Sequence, residues 1–223
     1  MKKLTSVVAL AVAALIGSAA TAQAETGAFI GGGRLALNYS TLYTSTTSSY
    51  SGNTYTYSAG RGGLGLDAGV LGRLAVIEGQ MGVHIGANFI YRSVYNHNYI
   101  WADVTTSEMA VGVPILFEIN PFVVSGLNSS IYEMIFLQLG IQVDYSFNYN
   151  EYHSGKAVDK DHLGYERNPL GVGIVVGAVG YFNSHLSLDI RYYYAFTEYY
   201  KLPSNYYWKW YPYTYNIGLS FYL

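Results

Sequence analysis

Cysteine is absent from the 223 residues, which excludes disulfides and thiolate metal sites and leaves backbone pairing and packing to hold the fold. Charge is scarce as well. Asp, Glu, Lys and Arg make up 12% of the chain and the formal net charge is −2, so there is no basic surface for nucleic acid. Nor does the body of the chain contain an unbroken apolar run of the length a membrane helix needs. Its one long uncharged stretch rich in apolar residues, Asn168 to Leu188, is interrupted by Pro169, several glycines, Asn183, Ser184 and His185, which excludes a helix in lipid. Against these absences stand 25 tyrosines, 25 glycines and an apolar fraction of 51%. A chain this apolar without a spanning helix has to bury or solvate its hydrophobic groups in another way.

The N-terminus reads as a secretory signal. Lys2 and Lys3 form a charged start, Val7 to Ile16 an apolar core, and Ala22-Gln23-Ala24 a small-x-small cleavage site. Cleavage before Glu25 is therefore expected, leaving residues 25 to 223 as one exported domain. Loss of Lys2 and Lys3 takes the formal charge from −2 to −4.

The end of the chain shows how the apolar groups are sorted. Tyr213, Tyr215, Ile217, Leu219, Phe221 and Leu223 alternate with Thr214, Asn216, Gly218, Ser220 and Tyr222. A period of two is the signature of a strand, and aromatic or aliphatic groups at every position of one face suit a strand turned toward lipid. Seven further segments repeat the alternation, at about 27–39, 62–75, 80–92, 106–119, 132–147, 169–182 and 186–197. In the fifth, Ile135, Leu137, Leu139, Ile141, Val143, Tyr145 and Phe147 oppose Gln138, Gly140, Gln142, Asp144 and Ser146. Long links at about 40–61, 93–105, 148–168 and 198–210 alternate with short ones near 76–79 and 183–185. The expected fold is all-β, an eight-stranded antiparallel up-and-down transmembrane β-barrel with long loops outside the cell and both termini in the periplasm. The link near 120–131 breaks the rule, since it should be short and is not.

Two resemblances follow from particular residues. Asn216, Gly218, Phe221 and the terminal Leu223 look like the C-terminal β-signal of bacterial outer-membrane barrels, although the last residue of that signal is more usually Phe. The blocks Val113-Pro114-Ile115-Leu116-Phe117, Phe136 to Ile141, Gly171 to Phe182 and Leu188 to Thr197, in that order, resemble the outer-membrane β-barrel domain often called the porin family. The resemblance implies a small barrel of OmpA/OmpX architecture in the outer membrane of a Gram-negative-type cell. It also implies contact with outer-membrane lipid and lipopolysaccharide, and passage through periplasmic chaperones to the barrel-assembly machinery. It implies no defined activity.

The inward faces of the expected strands collect Arg34, Arg73, Arg92 and Arg191 with Asp67, Glu108, Glu118, Asp144 and Asp189. Arginine presents a fixed fork of donors for carboxylates, which suits a confined interior. One reading is a charge network that plugs the lumen; the other is a selective pore, although eight strands leave an interior that side chains can fill. Lys156, Lys160, Lys201 and Lys209 fall in expected external loops.

A cofactor is not expected. Gly60-Arg61-Gly62-Gly63-Leu64-Gly65 matches a dinucleotide fingerprint in letters but lacks the preceding strand and following helix that the motif needs. His84 has no second histidine at ligand spacing. A lipid A-modifying enzyme would need a Ser/His pair with an acid. The nearest sets are His153, Ser154 and Glu151 in a polar loop, and His185 with Ser187 at the opposite end. The aromatic cluster Tyr199, Tyr200, Tyr206, Tyr207, Trp208, Trp210 and Tyr211 reads as an interfacial girdle, because these rings pair an apolar body with a polar tip. The alternative is a surface for an extracellular ligand, shared with the Tyr/Ser/Thr loop 40–58.

Overall fold

The computed structural model describes residues 27, 29–47, 54–58, 61–98, 102–127, 134–153, 156–157, 166–201 and 208–223; the expected signal segment lies outside them. In chain order the elements are β1 (Phe29–Thr47), β2 (Thr54–Ser58), β3 (Arg61–Ile77), β4 (Met81–Asn98), β5 (Ala102–Ile119), α1 (Pro121–Val124), β6 (Ile135–His153), β7 (Lys156–Ala157), β8 (Glu166–Arg167), β9 (Leu170–Tyr181), β10 (Leu186–Ala195), β11 (Tyr200–Lys201) and β12 (Trp208–Tyr222).

Among the described residues, eight long strands form one wall in the order β1, β3, β4, β5, β6, β9, β10, β12. Every neighbouring pair is antiparallel, and β12 returns to β1 from Gly32↔Tyr222 to Thr46↔Trp208. Closure leaves the wall without an edge, so each strand's backbone groups find partners inside the sheet.

The alternation in the sequence becomes two surfaces. Outside, Leu35, Leu66, Ile115, Leu139, Ile190, Ile217 and Phe221 are exposed. Inside, Arg34, Asn38, Asp67, His84, Glu118, Gln138 and Asp189 are buried. On β5 the outward apolar run extends from Met109 to Ile119. Ten residue steps make about 34 Å of strand, or about 26 Å along the axis at a tilt of about 40°, which matches the apolar band of a membrane barrel.

The structure corrects the strand limits at the long-loop end. There β1 continues to Thr47, β4 to Asn98 and β6 to His153, while β5 already begins at Ala102. The link expected at 93–105 is largely a hairpin, paired as far as Asn98↔Ala102. Inside the link expected at 40–61, β2 folds back on β1 from Tyr43↔Ser58 to Thr47↔Thr54. Above the apolar band the outer face meets water instead of lipid and turns polar too, as at Asn148 and Asn150 of β6, so the apolar/polar contrast that marked the strands fades before the pairing stops.

Of the exceptional link near 120–131, the described residues 120–127 lie at the short-turn end. Asn120 N–H donates to Gln80 O at 2.7 Å, tying it to the neighbouring turn. The Asn120 side-chain oxygen accepts from Phe122 N and Val123 N, both at 3.1 Å, capping the single turn of α1.

Candidate functional site

The lumen is filled by side chains that reach across it from non-adjacent strands. Starting from the short-turn end, Glu118 accepts from Arg73 Nε at 2.8 Å, Gln138 Nε2 at 2.7 Å and Tyr181 OH at 2.9 Å. His84 Nδ1 lies 3.6 Å from the same carboxylate. Arg191 continues the chain, donating through Nε to Gln138 Oε1 at 3.0 Å and lying 3.1 Å from Asp189 Oδ1. Arg34 grips Asp189 with two bonds, Nε to Oδ2 at 3.0 Å and Nη2 to Oδ1 at 2.7 Å, and lies 3.1 Å from Asp67. Higher up, Arg92 pairs with Asp144, to which Gln142 Nε2 also donates at 2.7 Å.

Gly218 of β12 serves this network. A Cβ placed there would sit 2.6 Å from Arg34 Nη2 and 2.8 Å from its Cζ, so the bare backbone gives the guanidinium room beside the wall. Asn216 also faces inward, whereas Phe221 and Leu223 are exposed on the outer face.

The expected inward set lacked one cation. Arg167, assigned by its position to a loop, lies in β8 and turns into the barrel. Its Nη2 donates to Glu108 at 2.8 Å, and its guanidinium stacks 3.6 Å from the Tyr199 ring centroid. Ser146 donates to the same Glu108 carboxylate. β8 pairs with β11 as a separate two-stranded sheet, and Asn168 N–H donates to Tyr199 O at 3.0 Å. These segments fold over the long-loop mouth as a cap. Sequence reasoning had one available signal, an arginine beside a polar loop, and nothing local to show that it turned inward.

Tyr199 and Tyr200 are corrections to the girdle expectation. They are buried in a cluster with Leu42, Val94 and Tyr149, and Tyr149 and Tyr200 hydroxyls meet at 3.0 Å. Burial raises both phenols of the cap above their usual range, Tyr199 also through Glu108 and Tyr200 through Tyr149, so they remain neutral hydrogen-bonding groups. Tyr211 is half-buried. Trp208 and Trp210 lie on β12 in register with Thr46 and Thr44, and Tyr206 and Tyr207 lie outside the described residues. Other rings do gather on the outer face, where Tyr192 lies 5.0 Å from Tyr215 and Tyr213 lies 6.0 Å from Tyr215, centroid to centroid.

Apolar side chains also fill the interior, Tyr193 and Tyr222 on the faces the alternation turned inward. Leu116, Val175, Tyr193 and Ala195 form one buried cluster, and Ile30, Leu71 and Tyr222 another. The His185/Ser187 candidate does not assemble. His185 is exposed, with Nδ1 3.1 Å from Tyr222 O, while Ser187 is fully buried; Ser154 lies outside the described residues. Gly62 to Gly65 sit in β3, the strand context in which a dinucleotide fingerprint has no helix to work with.

A closed antiparallel wall of eight strands, apolar outside and ion-paired inside, defines a small transmembrane β-barrel. No family model matches the chain, and no curated protein matches it. Among solved structures it is similar to the outer-membrane protein OprG from Pseudomonas aeruginosa, at 15% identity over 89% of this chain and 97% of that one, with a TM-score of 0.44. Neisserial surface protein A is similar at 10% identity over 85% and 96%, TM-score 0.47. Ail, the attachment invasion locus protein of Yersinia pestis, is similar at 13% identity over 89% and 100%, TM-score 0.43.

Proposed function

We propose that this protein is an integral outer-membrane barrel with a structural or surface-binding role carried by its external loops, and that its lumen is closed to solutes. The observation that carries the reading is the continuous set of buried ion pairs from Arg73–Glu118 to Arg167–Glu108, with the β8–β11 cap above it. A conducting path would have to separate these pairs, and each loses more by separation than a solvated pair would, because the surroundings are dry. The lipid-facing band supports contact with outer-membrane lipid and lipopolysaccharide, and in this reading the terminal residues Asn216, Gly218, Phe221 and Leu223 serve as the assembly signal read in transit. An extracellular ligand, if one is used, is taken by the loops around 40–58 and 198–210.

Planar-bilayer recording tests the reading. The purified barrel should give no steady unitary current, and lipid A acylation should be unchanged in a host that expresses it. Stable currents altered by Arg191→Gln would overturn the closed lumen. Changed acylation would overturn the non-enzymatic role.

A further inference from the structure

The closed lumen does not end flush with the short-turn mouth. A cavity of about 230 Å³ opens there, walled by Ile30, Phe136, Tyr181 and Tyr222, with Ser184 at its rim and Arg73 as the one charged group lining it. At about 30 Å³ of liquid volume per water molecule it has room for about seven waters, or for one compact organic molecule.

Arg73 is incompletely used. Its Nε is spent on Glu118, and its guanidinium stacks on the rings of Tyr181 at 4.6 Å and Phe136 at 5.2 Å. Its two terminal nitrogens have no hydrogen-bond partner among the described residues. Its side chain is 12% exposed, and neither terminal nitrogen is fully enclosed, so the exposed part is available to the cavity it lines. A guanidinium with its Nη donors unmatched, set against two adjoining aromatic rings and bordering a cavity, is suited to a planar two-oxygen acceptor. Glu118 accepts from Arg73, Gln138 and Tyr181; an ionised carboxylate has no proton to donate to an entering anion, and its charge disfavours a ligand that carries more than one negative charge.

We propose that this mouth cavity binds a small monocarboxylate with a compact apolar body, the carboxylate on the terminal nitrogens of Arg73 and the body against Phe136, Tyr181 and Tyr222. The geometry selects both halves of the ligand. A dianion meets one cation beside an existing carboxylate. A neutral molecule leaves the guanidinium donors unmatched, and a bare carboxylate leaves the aromatic walls wet. For a ligand of about nine non-hydrogen atoms in a partly open site, a Kd on the order of 1 mM is expected. The site stands whether or not the lumen above it conducts.

The test uses the full barrel in lipid nanodiscs, which avoids detergent tails in the cavity, with benzoate titrated by ligand-observed NMR. Benzyl alcohol supplies the ring without the charge, and acetate supplies the charge without the ring. Saturable benzoate binding, about tenfold tighter than either comparator, is expected. It should be lost in Arg73→Gln. Because that change also disturbs Glu118, a second variant, Ser184→Trp, fills the mouth from an exposed turn outside the ion-pair network and should weaken benzoate at least tenfold while the folded barrel's gel mobility is unchanged. The proposal is overturned if the unaltered barrel shows no saturable binding, if benzyl alcohol binds as tightly as benzoate, or if Ser184→Trp leaves the affinity where it was.

Discussion

Asp189→Ala removes a lumen carboxylate that two arginines share. Asp189 is fully buried and receives two bonds from Arg34, at 3.0 and 2.7 Å, while Arg191 lies 3.1 Å away. Counting each charge-assisted bond at about 1.5–3 kcal/mol would overstate the loss, because both arginines keep partners. Arg34 retains Asp67 at 3.1 Å and Arg191 retains Gln138 at 3.0 Å. Removing one member of a buried pair and stranding its cation costs about 3–5 kcal/mol, and that is the figure expected here. With a urea slope of about 2 kcal/mol/M, the unfolding midpoint in lipid vesicles should fall by about 2 M, read by far-ultraviolet circular dichroism and by the heat-dependent gel shift of the folded barrel. Asp189→Asn, which keeps the shape and one acceptor but loses the charge, should fall between. The double variant Asp189→Ala/Arg191→Ala should lose less than the two single losses added, because it removes a stranded cation; a coupling of about 1 kcal/mol or more is expected. A midpoint within about 0.5 kcal/mol of the unaltered barrel, or strict additivity in the double variant, would refute the reasoning.

Phe221→Arg puts a cation on the outer face of the closing strand, where the cost is about 2–4 kcal/mol at mid-bilayer and less near the interface. If Phe221 also belongs to the assembly signal, the amount of folded barrel in the outer membrane should fall further than the stability measured after refolding accounts for. Gly140→Ala should destabilise by about 1–3 kcal/mol, since its Cβ would sit 2.0 Å from the Ile115 carbonyl oxygen. Gly180→Ala, with open space at the Cβ position, should be neutral or mildly stabilising through the unfolded chain; urea midpoints of the two variants compare them directly. Intact-mass measurement of the purified exported protein should give a chain beginning at Glu25.

The wall was legible before any coordinates, because lipid and lumen make opposite demands on neighbouring residues and strand geometry writes those demands in alternation. Leu137, Leu139, Ile141 and Val143 against Gln138, Gln142 and Asp144 identify β6 and both of its faces, and the same reading finds all eight wall strands. It loses the strand ends toward Thr47, Asn98 and His153, beyond the lipid band, where the outer face no longer has to be apolar and the contrast that carried the reading is gone. The inward position of Arg34 and Asp189 was likewise visible, but their pairing was not. The two are 155 residues apart, on β1 and β10 with β12 between them, and only the closure and relative stagger of the strands set them at one height. Arg167 and Tyr199 go further still. Each sits in a short segment with no period to read, and each is drawn inside because the barrel offers Glu108 a cation and the rings a dry cluster. Local chemistry determined which side of the wall each residue faces; closure of the barrel decided which inward residues meet.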